Sequence, residues 1–237
     1  MQRSERKGER AGVVLLQTPA PVIFAKSTRP AAMEDPKTYA AVRLKQIKAN
    51  PAPWTEPWAW RREFAETDSP ELQREVLALA KQVGHSPLIS VLALALASED
   101  GVVRLDAARS IVLLSEERLR DGFAIGVEAA DPEIREEVMD LIYQIQPHLR
   151  PELLRVAMAA SAADVQLRAI AFMSEHPSPD LFAVLIEGLR TSTAEVRPRL
   201  DEAINDLVQF RFGTFEEAAT WWAQNRSEFD DLMTRIQ

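Results

Sequence analysis

The chain contains no cysteine. That absence removes disulfides, thiolate metal sites and cysteine nucleophiles together, and it suits a reducing compartment, so the cytoplasm is the expected location. Glycine is scarce, eight in 237 residues, and runs rich in Val, Ile and Thr are few beside abundant Ala, Leu, Glu and Arg. This balance favours helix over sheet and sets the expected class as all-α. Long apolar runs are missing too. The longest, residues 87–97, falls well short of the roughly 20 residues that span a bilayer, so no membrane span is expected. The apolar patch at residues 12–16 is too brief for a signal-peptide core before Pro19 and Pro21 interrupt it.

The usual catalytic signatures are also absent. There is no His-Glu-x-x-His pair, no Gly-rich phosphate loop, no Gly-x-Ser-x-Gly elbow and no dinucleotide fingerprint. Carboxylates abound, as at Glu133, Glu136, Glu137 and Asp140, but acidic residues on one helix face read as a solvated surface. The expectation is a protein without catalytic residues, cofactor or metal.

Charge is distributed unevenly. Residues 1–50 hold ten Lys or Arg against four Asp or Glu, and residues 51–237 hold eighteen against thirty-two. An acidic body argues against nucleic acid as a partner, because that affinity comes from neutralising phosphates with Lys and Arg. Residues 1–34 lack periodicity and read as a disordered basic arm. Met33 stands just before the first helix signal and is a second candidate start. Asp35 followed by Pro36 is a cap with proline at the first helical position, which opens a covering helix within 35–52 whose apolar side is Tyr39, Val42, Leu44 and Ile47. Next come Trp54, Trp58 and Trp60, with Thr55 as cap. These tryptophans read as end packing, and Trp58 is one turn from Arg62, close enough to stack.

From there a ladder organises the chain. Leu72, Val103, Ile134, Val165 and Val196 stand 31 residues apart. Four further on come Val76, Ala107, Val138, Ala169 and Leu200, and eight further on Ala80, Ile111, Ile142, Met173 and Ile204, so one apolar helical stripe recurs five times. Three before each ladder residue stand Ser69, Asp100, Asp131, Ala162 and Thr193, and four of these five are good N-caps. A second stripe holds Leu92, Phe123, Leu154 and Leu185, with Leu96, Val127, Met158 and Leu189 one turn on. Between them lie the small residues Ala95, Gly126, Ala157 and Gly188, which let a neighbouring backbone come close. Each unit is therefore a pair of helices that can bury its stripes only against the next unit.

These units resemble HEAT repeats, of the short bacterial kind that also occurs in HEAT-like proteins related to phycobilisome lyases. The resemblance rests on Asp100-Gly-Val-Val103-Arg104, Asp131-Pro-Glu-Ile134-Arg135 and Thr193-Ala-Glu-Val196-Arg197, with Gln73 and Gln166 replacing the arginine elsewhere. It implies a right-handed α-solenoid of about five HEAT-like helix pairs over residues 53–210. It also implies structural arginines that bond loops and neighbouring caps. Residues 211–237 are expected to close the array. Thr214-Phe-Glu-Glu217 is a capping box, the helix after it should bury Trp222 and leave Trp221 partly exposed, and Ser227 should cap a last short helix bearing Phe229, Leu232 and Ile236.

By that resemblance the ladder helices line the concave face. Three places after each ladder residue stand Glu75, Asp106, Glu137, Arg168 and Arg199, a stripe acidic in three units and basic in two. It is the candidate binding site, and the expected function is a monomeric scaffold or adaptor that binds a protein or peptide there. Two alternatives follow from the resemblance: an enzyme-associated protein of the phycobilin-lyase type that binds a tetrapyrrole or its carrier, and a HEAT-like nucleic-acid-binding protein or DNA glycosylase, which the acidic body disfavours. The three histidines, His85, His148 and His176, fall in turns of different units about 10 Å apart and should not converge on one metal.

Overall fold

The computed structural model describes residues 36–67 and 69–236. The arm assigned to residues 1–34, the candidate start at Met33 and the cap at Asp35 lie outside the described residues. Twelve α-helices and no sheet are found among those described: α1 Pro36–Ala49, α2 Pro57–Ala65, α3 Pro70–Val83, α4 His85–Leu96, α5 Gly101–Arg109, α6 Glu116–Val127, α7 Pro132–Asp140, α8 Arg150–Met158, α9 Ala163–Glu175, α10 Pro179–Thr191, α11 Arg197–Val208 and α12 Phe215–Asn225. None of them is long and apolar enough to cross a membrane.

The packing follows the 31-residue frame. The five ladder residues are buried in α3, α5, α7 and α9 and at the start of α11, and the residues four and eight places after them are buried with them. The second stripe is buried as well, in α4, α6, α8 and α10. Each helix then packs on the second helix along the chain. The odd-numbered helices touch in the order α1, α3, α5, α7, α9, α11, and the even-numbered ones in the order α2, α4, α6, α8, α10, α12. The small positions serve these contacts. A Cβ added at Gly126 would stand 2.8 Å from Ile111 and Val138, and one at Gly188 would stand 2.6 Å from the end of Met158.

Helix starts follow local chemistry. Ser69, Asp100 and Asp131 each accept a backbone N–H of the first turn, from Leu72, Val103 and Glu133 respectively. Ala162 occupies the same place before α9 without a side chain able to do so. Thr193 does not cap α11. That helix begins at Arg197, with Val196 at its cap, because Pro198 would otherwise sit in the helix interior without an N–H to give. Between α3 and α4 the chain turns at Gly84, whose φ of 140° only glycine adopts readily.

The residue after each ladder position ties neighbouring units together. Arg104 donates to the carbonyls of Ser98 and Glu99 and, from Nε at 3.0 Å, to Asp131, the cap of α7. Arg135 repeats this on Ala129, Ala130 and Asp164. The fully buried Gln166 does the same in neutral form, donating to Ala160 O and accepting from Thr193 N. Gln73 accepts from the Ser98 hydroxyl, and Arg197 donates to Leu189 O and to Asp201 on its own helix. Carbonyls at the end of one helix are thus satisfied by the unit that follows.

The two ends depart from the frame. Tyr39 of α1 is buried and donates its phenol hydrogen to Glu63, whose carboxylate also pairs with Arg43 at 2.7 Å. Burial, with the Glu63 charge next, pushes the Tyr39 hydroxyl far above its ordinary pKa. Trp60 is buried and donates to Trp54 O, while Trp58 is exposed under the Arg62 guanidinium, 5.2 Å from the ring centre. Thr55 does not cap α2; its hydroxyl donates back to Ala52 O, and Glu56 precedes the helix. At the other end Thr214 accepts from Glu217 N, and Glu217 reaches back to Gly213 N, one residue earlier than a capping box requires. Trp222 is buried edge-on against Phe182, and Trp221 is half-buried. The last short helix is not an α-helix. A 3-10 turn at Arg226–Glu228 leads into a bridge between Phe229 and Arg235, with Leu232 and Ile236 exposed, because Asp230 accepts from Leu232 N and Thr234 N and turns the chain back.

Candidate functional site

The five stripe residues stand on successive odd-numbered helices, Glu75 on α3, Asp106 on α5, Glu137 on α7, Arg168 on α9 and Arg199 on α11, and all are at least partly exposed. Three of them are held by the helix before. Lys81 of α3 meets Asp106 at 2.7 Å, Arg109 of α5 meets Glu137 at 2.7 Å, and Arg168 reaches across to Glu136 and Asp140 of α7, at 2.7 Å each. Arg199 pairs instead with Glu202 on its own helix. Three of the five stripe residues therefore stand in ion pairs across helix seams, where their charge is largely balanced. These pairs lie in solvent, so they hold the helices together weakly and can exchange partners.

Arg168 marks the most structured part of this face. Two cavities of about 450 Å³ and 230 Å³ adjoin in the seam between α7 and α9 and share Met139 and Arg168 as walls. One extends toward the helix starts, past Glu133, Arg135 and Asp164, over a floor that includes Val165. The other extends toward the helix ends, past Asp140, Glu175 and the exposed ring of Tyr143, over Phe172. Met139, Val165 and Phe172 are buried, so the seam has an apolar floor beneath a charged rim.

The electrostatics of the rim are set by its carboxylates. The Arg168 guanidinium is held above its ordinary pKa, by the hydrogen bond to Asp140 first and with help from Glu136, against the opposing effect of burial. The Tyr143 phenol is pushed up by desolvation and then by the negative charges of Glu175 and Asp140; it donates to Glu175 at 3.3 Å. Its ring packs edge-on against Phe172, with centres 4.9 Å apart, and against His176.

Among the stripe residues only Arg168 lines these cavities. Glu75, Asp106, Glu137 and Arg199 lie at other seams or helices. Glu136, Asp140, Tyr143, Phe172 and Glu175 were not singled out together from the sequence, because none repeats in the 31-residue frame. One signal was available: Glu136, Asp140 and Tyr143 are spaced by four and three residues, as are Arg168, Phe172 and Glu175, so each trio shares a helical face.

The histidines lie apart. His85 opens α4, His148 stands in the 3-10 turn before α8 with Nε2 4.0 Å from Glu116, and His176 follows α9. Among the described residues no three His, Asp or Glu side chains gather as metal ligands would.

No protein-family model matches the chain, and neither a curated protein nor a solved structure matches it.

Proposed function

We propose that the chain is a right-handed HEAT-type α-solenoid of five helix pairs, α2/α3 to α10/α11, covered by α1 and closed by α12, and that it serves as a non-catalytic scaffold or adaptor. Its ligand is a segment of another protein lying across the odd-numbered helices. The two-row order of helix contacts supports the architecture, since it is what stacked pairs produce. The observation that carries the function is the seam between α7 and α9: an elongated groove with an apolar floor and a charged rim, on the face that bears the stripe. Such a surface suits a peptide, with apolar contacts for affinity and charges for orientation and register. Its carboxylate-rich rim is the opposite of what a phosphate backbone requires.

The test is affinity capture with the intact protein and with Glu137→Arg and Arg168→Glu combined. The reversed charges face like charges, Glu137→Arg beside Arg109 and Arg168→Glu beside Glu136 and Asp140, so helicity and melting of the two proteins are compared before capture. A partner whose recovery differs between the intact and the charge-reversed protein is the expected result. Equal recovery of the same partners would remove this face from the binding surface.

A further inference from the structure

We infer that the α7–α9 seam binds a basic segment, seating a lysine or arginine side chain between Asp140, Glu175 and the ring of Tyr143. This rests on the peptide-binding reading of the same face and adds the chemistry of the ligand. Around the two cavities stand five carboxylates, Glu133, Glu136, Asp140, Asp164 and Glu175, against two arginines, Arg135 and Arg168, with a third, Arg150, 5.7 Å from the centre of the Phe172 ring and donating to the carbonyls of Ile145 and Tyr143. The arginines do not restore balance. Arg135 is engaged by Asp164 and by two backbone carbonyls, and Arg168 by Glu136 and Asp140 together. The surplus is therefore negative, and among the described residues no cation lies within ion-pair distance of Glu175; its partner there is the neutral phenol of Tyr143.

The shape of the site agrees with the charge. Tyr143 is 51% exposed, which is unusual for a ring packed on a buried phenylalanine and leaves one part of its surface open to solvent. A cation placed against that ring, with two carboxylates beside it, gains both ion pairing and the attraction of the aromatic quadrupole. The apolar floor at Met139 and Phe172 would meet the aliphatic part of the same side chain, as long basic residues allow. An anionic segment would meet the same carboxylates and be repelled.

Arg168 gives the proposal a distinctive consequence. Its guanidinium already holds Asp140 from the α9 side, in the position an incoming cation would compete for. Replacing it with a neutral residue frees Asp140 and Glu136, and a basic ligand should then bind more tightly. A purely structural Arg168 would do the reverse, since its loss would loosen the seam.

The measurement is fluorescence anisotropy at low salt, using a labelled peptide of lysine, leucine and alanine and its counterpart with glutamate in place of lysine. The lysine peptide should bind and the glutamate peptide should not. Asp140→Asn combined with Glu175→Gln should weaken binding about tenfold, and Arg168→Gln should tighten it about threefold. Glu117→Gln combined with Glu216→Gln removes the same charge from α6 and α12 and should change affinity less than about twofold. Equal weakening by both double variants would mean attraction to net charge alone and would overturn the site, as would weaker binding by Arg168→Gln. If the lysine peptide fails to bind while capture still changes on charge reversal, the basic ligand is wrong and the interaction face stands. If capture is indifferent to reversal while the peptide responds as expected, the seam binds cations but the scaffold reading falls.

Discussion

Asp131 shows how much one side chain does in this array. It caps α7 by accepting from Glu133 N, and it accepts the Arg104 guanidinium of the preceding unit. The backbone hydrogen bond first, and Arg104 with it, hold its carboxyl below the ordinary carboxylate range. A pKa lowered by folding means that the unfolded chain takes up the proton more readily. The stabilisation is therefore complete above the unfolded value, about 4, and is lost as pH falls through the folded one. Asp131→Asn keeps a capping oxygen but not the charge. It should melt below the intact protein at pH 7, and the gap should close as melts are repeated down to about pH 3. A gap that stays constant with pH would show that the Arg104 pair contributes nothing through charge.

At the scale of the element, the helices differ most in how they begin. The backbone before α9 has φ −88° and ψ 124° at Ala162, close to the −81° and 120° at Asp100 and the −82° and 119° at Asp131. The conformation of a capped start is present there without the side chain to use it. Ala162→Asp should therefore stabilise the protein by about 1 kcal/mol, raising the melting temperature by about 2–4 °C for a chain of this size. An unchanged or lower melting point would mean that the first-turn N–H groups of α9 are already satisfied by solvent. The start of α11 shows the opposite case, where a good capping residue, Thr193, goes unused because Pro198 moves the helix start three residues on.

At the scale of the whole molecule, each helix depends on near neighbours in sequence, and α12 touches the rest mainly through α10. Trp222 is the key contact, buried against Phe182 with ring centres 4.7 Å apart. Trp222→Ala should cost about 3–5 kcal/mol locally. Because contacts do not run from one end to the other, the loss of hydrogen-exchange protection should fall on α10 and α12 and leave α4 nearly unchanged. Equal loss in α4 would mean that the helices unfold as a single unit and that the quasi-linear reading is wrong. The same locality explains why charge pairs recur at the seams: each helix must be fitted to two neighbours, and rim side chains do part of that work.

The sequence by itself determined the helical class, the repeat frame and the core. A period of 31 residues with apolar positions at zero, four and eight leaves little freedom, because the residues buried by one unit are the only surface on which the next can pack. The ladder residues and the small positions at Gly126 and Gly188 followed from that pattern, and the burial of Trp222 from the amphipathic helix that Thr214 opens. Only the tertiary structure decided what the surface does. Whether Glu137 or Arg168 presents charge to solvent depends on which side chain of the neighbouring helix lies across the seam, and Arg109, Glu136 and Asp140 are fixed by packing rather than by spacing in one helix. The groove between α7 and α9 exists for the same reason. Tyr143, Phe172 and Glu175 belong to no repeated position, and they become one site only when two helices separated in the chain are laid side by side.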